Sequence, residues 1–214
     1  MTRKRAVIAM LAIPLALALT NLLLSDSMQL ARLLPAIPFS YTLPAIGLVL
    51  SSICALLLMI GKTRIARHAI LIYLVFSTIE LASNVTLLVL NIARYGGDTG
   101  GIRLLADSVL LWIYNMNLFA MIYWTLDSAL WTPTGKRERR HFFFPQQLSS
   151  MPGYESWEPN LFAYIYLAFT VSTTYGPTDM PAASAGARLL VMLQALIALI
   201  LLTVTIARAV SILG

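Results

Sequence analysis

The stretch YLAFTVSTTYGPTDMP, from Tyr166 to Pro181, stands directly before the last long apolar segment of the chain. It begins with apolar and aromatic residues and continues through several hydroxyls, a Gly-Pro pair and a carboxylate. Backbone that is not helical is tolerated at membrane depth only where it is buried in protein or lines a cavity. The path of the chain through this stretch therefore decides the fold of the C-terminal part.

The composition around this stretch is that of a membrane protein. Apolar residues make up 59% and charged residues 11% of the 214 residues, far from the proportions of soluble domains. Crossing a hydrocarbon core of roughly 30 Å requires about 20 consecutive, mostly apolar residues. Five segments meet this requirement and are predicted to be transmembrane helices: Ala6–Leu24, Thr42–Gly61, Ala69–Ala93, Leu104–Trp131 and Leu189–Arg208.

A sixth segment, Asn160–Gly176, carries no charge but is short. As a helix with a rise of about 1.5 Å per residue, it would reach only about 25 Å. Two alternatives remain open, because the segment either spans the membrane or enters and leaves on the same side. The predicted fold is an all-α polytopic membrane protein with five long transmembrane helices plus one short helix, which is a re-entrant pore helix or a sixth span.

Ten of the 15 basic residues fall in three short clusters, TRKR, KTRIAR and KRERR. Because Lys and Arg are retained on the cytoplasmic side of short loops, we expect Arg3–Arg5, Lys62–Arg67 and Lys136–Arg140 to lie inside. Residues 25–41 and 94–103 are then outward loops. These flanks account for much of the net charge of +6, so the charge does not indicate a nucleic-acid partner.

No repeat or linker divides the chain, which is predicted to form one membrane domain over residues 1–214. Within it we distinguish a four-helix N-terminal part (1–131), a basic and aromatic loop (132–158) and a C-terminal part (159–214). The basic start of the loop and its three phenylalanines, Phe142–Phe144, predict a segment lying in the membrane interface. Docking of a partner protein is the alternative. Ser156 as a cap and Pro159 in the first turn predict the opening of the short helix.

Residues for conventional catalysis are scarce. Cys54 is the single cysteine, and with only His68 and His141 the sequence predicts neither a disulfide nor a metal-ligand cluster. The chain also lacks a Gly-rich phosphate loop and a GxSxG motif. We therefore expect no enzymatic activity, no cofactor and no metal.

Polar residues inside the predicted spans are the remaining candidates. Glu80, Asn84 and Asn91 fall within about 40° of one another around the third helix, and Asn115 lies in the fourth. A polar residue in hydrocarbon generally faces protein or water. Two interpretations stay open: hydrogen bonds that fasten helices together, or an ion or proton pathway that uses Glu80.

A short helix, then STTYGPTD, then a long apolar helix resembles the pore of potassium channels. In that family a pore helix runs into a threonine-valine-glycine-tyrosine-glycine-aspartate filter, whose backbone carbonyls replace the hydration shell of the ion. The resemblance covers about the last 55 residues, with Thr174 in place of a filter glycine and Pro177 in place of the aspartate. The filter-like residues it implies are Ser172, Thr173, Thr174, Tyr175, Gly176 and Asp179.

The same region is also similar to a poorly characterised group of bacterial integral membrane proteins. In that group a YLYxSFT-type run precedes a Thr-rich turn and an Asp, and the last helix ends in an ARAVNIL-type tail. The corresponding pieces here are YIYLAFTVSTTYGPTD and ARAVSIL. This resemblance implies a multi-pass protein of the bacterial inner membrane.

Two functions of different class follow. The channel resemblance implies an ion channel or a channel-derived protein, with a pathway for a monovalent cation near STTYGPTD. One such unit cannot enclose a pathway, so a homo-oligomer is expected, a tetramer if it is channel-like. The alternative is a non-conducting structural or accessory subunit of a bacterial membrane complex. Both predict the lipid bilayer as a partner.

Overall fold

The computed structural model describes residues 3–24, 39–94, 101–128, 140–148, 153, 157–174 and 179–213. Over these residues the chain forms helices and one isolated backbone bridge, between Phe142 and Ala182, and no strand. The all-α prediction is therefore confirmed. The helices are α1 (Arg3–Leu23), α2 (Phe39–Ile60), α3 (Thr63–Arg94), α4 (Gly101–Asp127), α5 (Pro145–Leu148), α6 (Leu161–Thr174) and α7 (Ala185–Leu213).

Three helical segments are long and apolar enough to cross a membrane: Thr63–Ile92, Ile102–Asp127 and Ala185–Val210. Three apolar segments are shorter: Met10–Leu23, Ala45–Ile60 and Leu161–Thr173. These helices support a membrane protein. By length and composition, three of the five predicted long spans qualify within the described residues.

A tight turn joins α2 to α3. The N–H of Lys62 donates to the carbonyl of Leu57 across 2.9 Å, and the N–H of Gly61 donates to that of Leu58 across 3.1 Å. Gly61 has a φ of 89°, a conformation that glycine adopts without a steric penalty. This pair of bonds is the Schellman motif, which satisfies the last carbonyls of α2 and lets α3 begin two residues later.

Helix α4 is the centre of the bundle. It packs against α1 and α3 on one side and against α6 and α7 on the other. Its core side chains include Leu111, Leu118, Phe119 and Trp124, none of which exposes more than 1% of its surface. Because α4 contacts four helices, side chains on its faces position most of the polar contacts described below.

The two C-terminal helices both begin beside the end of α4. Tyr164, in the first turn of α6, donates a hydrogen bond to Asp127 at the end of α4. Ser184, immediately before α7, contacts His141, whose N–H donates to the same Asp127. The starts of α6 and α7 therefore lie at one end of the bundle.

Deeper in the bundle, α6 and α7 remain side by side. Gln194, nine residues into α7, donates hydrogen bonds to Ala168 and Ser172, which lie in the second half of α6. Both helices thus run away from the end of α4 in the same direction. Residues 181–184 lie back at the end where α6 begins, since they contact His141 and Phe143, and α7 starts from there.

The predicted cytoplasmic ends of the helices also lie together. The contact between Asn21 of α1 and Glu80 of α3 lies at one end of a cleft. From this contact the cleft runs along both helices, to Pro14 of α1 and to Tyr73 of α3. Helices α1 and α3 therefore run in the same direction. Six residues separate Arg94 from Gly101, too few to run the length of α4, so α4, which packs against α3, is antiparallel to it. The start of α1, the turn at Lys62 and the segment at Arg140 are consequently at the same end.

The described part of the loop after α4 packs two of its phenylalanines inside the protein. Phe142 and Phe144 are buried, with ring centroids 4.8 Å from Tyr123 and 5.4 Å from Tyr164, respectively, so both rings belong to the core. The hydrophobic effect that would hold them in the interface is satisfied more fully inside the protein.

The opening of α6 differs from its prediction. The N–H of Ala163 donates to Oδ1 of Asn160 across 3.1 Å, so Asn160 caps the helix. Pro159 precedes this cap instead of lying in the first turn, and Ser156 lies outside the described residues.

Candidate functional site

Four polar side chains lie together where α6 and α7 begin. We call them the entry cluster: Asp127, His141, Tyr164 and Ser184. Asp127 accepts the phenolic hydrogen of Tyr164 at 2.6 Å and the backbone N–H of His141 at 2.9 Å. Nδ1 of His141 lies 2.8 Å from Oγ of Ser184. Because Asp127 and Tyr164 expose only 1% each, this contact joins α4 to α6 in a dry environment.

Backbone hydrogen bonds attach the returning chain to the loop after α4. The N–H of Phe143 donates to the carbonyl of Pro181, and the N–H of Ala183 donates to that of His141 across 2.8 Å. Oγ of Ser184 then accepts the N–H of Ala187 across 3.2 Å and caps α7. The return is thus anchored by ordinary peptide contacts as well as by the entry cluster.

A second polar contact, the Gln194 contact, lies deeper and joins three helices. The hydroxyl of Tyr123 in α4 donates to Oε1 of Gln194 across 2.6 Å. Nε2 of Gln194 donates to the carbonyl of Ala168 at 2.8 Å and to Oγ of Ser172 at 2.9 Å. The Gln194 side chain is fully buried, and its carbonyl and amino groups both have partners.

Sequence reasoning missed Gln194, although a signal was present. It is the one carboxamide in α7, placed among leucines, alanines and isoleucines. An isolated amide in an apolar helix predicts a hydrogen-bonded partner within the bundle. Its position does not say which helix supplies that partner.

The filter-like residues are divided by the structure. Ser172, Thr173 and Thr174 are the last three residues of α6, so they are helical rather than an irregular carbonyl-presenting segment. Ser172 is buried in the Gln194 contact, whereas Thr173 is exposed and donates to the carbonyl of Phe169 in its own helix. The helix persists because Thr and Ser hydroxyls can bond to carbonyls one turn back.

The rest of the filter-like stretch is only partly described. Tyr175 and Gly176 lie outside the described residues, as does the side chain of Thr174. Asp179 is exposed in a bend on the returning chain, next to buried Met180. Ser172 therefore lies in α6, whereas Asp179 lies in the segment that leads from α6 to α7.

Glu80 forms the third polar contact, the Glu80 cluster, with Asn21 and Tyr114. Oε1 of Glu80 accepts the amide N–H of Asn21 from α1, and Oε2 accepts the hydroxyl of Tyr114 from α4 across 2.8 Å. Glu80 exposes 7% of its surface. Its hydrogen-bond partners within the described residues are an amide and a phenol, and together they join α1, α3 and α4.

A narrow cleft adjoins the Glu80 cluster. It is lined by side chains of α1, α2, α3 and α4, including Pro14, Gly47, Tyr73 and Ser77, and has space for about one water molecule. Gly47 allows the approach of α2, since a Cβ there would lie 3.2 Å from Cε2 of Tyr73. This arrangement suits hydration of the carboxyl group more than binding of an organic ligand.

The intramembrane asparagines are placed differently from one another. Asn115 is fully buried in α4, and neither Oδ1 nor Nδ2 has a hydrogen-bond partner in the described part of the chain. Oδ1 of Asn84 is likewise buried without a partner, whereas Asn91 is half-buried and has one. Asn115 lies between the Ser108 and Tyr123 positions on the α4 face that meets α7.

Among the described residues, no group of three His, Cys, Asp or Glu side chains is arranged to hold a metal ion. No protein-family model matches the chain, and no curated protein or solved structure is significantly similar to it.

Proposed function

We propose that the protein is an integral protein of a bacterial inner membrane with five long spans, α1–α4 and α7, and a re-entrant α6. In this proposal an oligomer forms a pathway for a monovalent cation beside the α6 return. The observation that carries it is that α6 and α7 begin at the same end of the bundle and run in parallel. A short helix followed by a returning chain and a long helix is also the order of elements in the potassium-channel pore.

The length of α6 supports re-entry. Its 14 residues extend about 21 Å, less than a hydrocarbon core of roughly 30 Å. The backbone groups beyond Thr174 then need protein or water as partners. A water-filled pathway between subunits would supply that water.

The direction of entry follows from charge. The start of α1, Lys62 and Arg140 lie at the end of the bundle where α6 begins, and such clusters are retained in the cytoplasm. Helix α6 therefore enters from the cytoplasmic side in this proposal. That orientation is inverted with respect to the potassium-channel pore, which opens to the outside.

The surface of α7 supports an oligomer. Its membrane-crossing segment leaves most of its apolar side chains uncovered within one chain. Beside it, α6 exposes Phe162, Tyr166, Phe169 and Thr173. Symmetric association through these faces would bring several α6 returns around one axis, and four copies would match the channel architecture.

Ion flux from liposomes tests this proposal. Purified protein should release K⁺ or Na⁺ along a gradient, and Asp179→Asn should reduce the rate because it removes a carboxylate from the returning chain. Glu158→Gln is the matched control, since Glu158 is an exposed acid just before α6. Absence of flux in potassium, sodium and chloride gradients, together with a monomeric protein, would exclude the channel.

The alternative is a non-conducting structural or accessory subunit. It is favoured by one specific observation: the hydroxyl of Ser172, a filter-like residue, accepts a hydrogen bond from Gln194 inside the bundle. The Glu80 cluster fits the same function, because its carboxyl group joins three helices. This candidate predicts normal folding with no flux, and co-purification with a membrane complex from the native bacterium.

A further inference from the structure

Glu80 is a buried acid near the middle of a membrane-crossing segment, Thr63–Ile92 of α3. Its carboxyl oxygens accept hydrogen bonds from the amide of Asn21 and the hydroxyl of Tyr114, which are both neutral groups. Among the described residues, no Lys, Arg or His side chain acts on this carboxyl group. A buried carboxylate without a positive charge beside it is unfavourable. The group therefore needs a bound proton or a small cation to neutralise it.

The ionisable side chains around Glu80 do not supply a positive charge. On α3 and α4 they are Tyr73 and Tyr114, and on α2 Cys54 acts on Tyr73. Helix α1 contributes the neutral amide of Asn21, and the described part of α7, which touches α3, adds no ionisable group to this contact. Phenols and thiols become negative when they lose a proton, so their ionisation would add charge of the same sign.

The cleft beside Glu80 has room for a water molecule that can carry a proton. Polar side chains line it, since Ser77, Tyr73 and Tyr114 stand beside the carboxyl group. Pro14 also lines the cleft and lies inside α1, where its missing N–H removes one hydrogen bond of the helix. Ordered water is one of the partners that satisfy a backbone group freed by proline in a membrane helix. The cleft is therefore suited to hydration.

The hydrogen-bond pattern favours a proton over a metal cation. Asn21 and Tyr114 both donate to the carboxyl oxygens, whereas a hard cation requires several oxygen ligands with free lone pairs. A carboxylic acid retains acceptor capacity while its O–H donates to water. Both hydrogen bonds are thus compatible with the protonated group as well as with the charged one.

We propose that Glu80 is a proton-binding site, which exchanges its proton with water in the cleft. On release, the O–H bond of the carboxylic acid breaks, its electron pair stays on the carboxylate and the proton passes to the oxygen of the water molecule. Binding reverses these steps. Because Asn21 and Tyr114 donate in both states, the contact among α1, α3 and α4 survives the exchange. The site is separate from the cation pathway proposed beside α6 and does not depend on ion conduction.

Infrared spectroscopy of the full chain tests the site in a maltoside detergent, which has no carbonyl group. At neutral pH the spectrum should contain the C=O band of a carboxylic acid. Glu80→Gln should remove this band, whereas Glu158→Gln, at an exposed acid just before α6, should leave it unchanged. Transfer into D₂O should shift the band within minutes. A missing band would indicate a charged carboxylate, and a band unshifted for hours would indicate a sealed structural proton. Either result would overturn the proposal.

Two further measurements assign the band if Glu80→Gln does not fold. Incorporation of ¹³C-labelled glutamate should shift it in the natural chain, which identifies a glutamate side chain. Tyr114→Phe should also shift it, because this change removes a hydrogen bond to Oε2 of Glu80. A band that does not respond to Tyr114→Phe belongs to another residue and contradicts the site.

A cleft-filling variant locates the route of exchange. Ala18→Val enlarges a buried side chain that lines the cleft and should slow deuterium exchange of the band roughly tenfold or more, since it removes the room for water. Ala82→Val is the matched control, because Ala82 is exposed on α3 two residues after Glu80. Equal exchange rates in the two variants would contradict the cleft as the route. Should Ala18→Val fail to fold, the band and its exchange in the natural chain still decide the proposal.

Sodium provides the last arm of the test. At constant pH, addition of Na⁺ should leave the acid band of Glu80 unchanged, as should the same concentration of choline. Loss of the band with Na⁺ but not with choline would identify a metal-cation site and overturn proton binding.

Discussion

Ser172 accepts a hydrogen bond from Nε2 of Gln194, 2.9 Å away, where α6 and α7 lie side by side, and both residues are buried. The bond joins the end of a 14-residue helix to the tenth residue of a 29-residue one. It fixes how deeply α6 reaches into the bundle. The depth of α6, in turn, determines where the returning chain begins.

Replacing Gln194 with Leu should destabilise the protein by about 1–2 kcal/mol, because Tyr123 and Ser172 would lose their partner in a buried environment. Unfolding in mixed micelles of increasing dodecyl sulfate content measures the change. Thr203→Val is the control on the exposed face of α7 and should change the free energy of unfolding by less than about 0.5 kcal/mol. Equal losses in the two variants would show that the Gln194 contact contributes nothing specific.

Glu80 and Tyr114 should be energetically coupled. Tyr114→Phe removes the 2.8 Å hydrogen bond and should cost about 1–2 kcal/mol, but much less when Glu80 is already Leu. A double-mutant cycle on unfolding free energies gives the coupling directly. Additive effects would mean that the two side chains stabilise the bundle independently, contrary to the geometry of the Glu80 cluster.

Residues Glu158 and Asp179 should lie on the same side of the membrane, because α6 returns the chain. Single cysteines, Glu158→Cys and Asp179→Cys, are placed in a Cys54→Ala background. Both should react with an impermeant thiol reagent in inside-out vesicles and neither in intact cells. Arg64→Cys marks the cytoplasmic side.

Labelling of Asp179→Cys alone in intact cells would establish α6 as a sixth span and contradict re-entry. Labelling of both Asp179→Cys and Glu158→Cys in intact cells would preserve re-entry but reverse the orientation inferred from the basic clusters. The two cysteine variants therefore test separately whether α6 re-enters the membrane and which side of the membrane it enters from.

Gly61→Ala and Gly186→Ala should have opposite effects. Gly61 has a φ of 89°, so alanine there is strained and should cost about 1 kcal/mol. Gly186 lies in the first turn of α7, where a Cβ would meet nothing within 4 Å, and alanine should be neutral or stabilising by up to about 1 kcal/mol. The mixed-micelle assay compares them, and a harmless Gly61→Ala would contradict the role of the Schellman turn.

Apolar segment length predicted most of the helices, because a chain in hydrocarbon must satisfy its backbone internally. It could not decide the path of α6, since 160–176 is neither clearly long enough nor clearly too short. That path depends on Tyr164 meeting Asp127, a contact between residues 37 positions apart. Composition predicts that each of these residues needs a partner but does not identify it.

The sequence indicated which residue types would form the candidate sites, but not where those residues lie or which partners they contact. Glu80 was expected to face protein or water, and it faces Asn21 and Tyr114. The likeness of Ser172–Thr174 to a filter rests on residue types, which do not show where a helix ends. Burial of Phe142 was missed because an aromatic residue in a loop suits an interface and a core equally well.

The two-residue turn at Gly61 also bears on the order in which the protein is assembled. Chains emerge from the ribosome N-terminus first, and α2 and α3, closed by this turn, can enter the bilayer as one hairpin. Asn21 has then already been synthesised, whereas Tyr114 follows Glu80 by 34 residues. Asn21 is therefore available to Glu80 before Tyr114 is, and we expect α4 to be the last helix to join this contact.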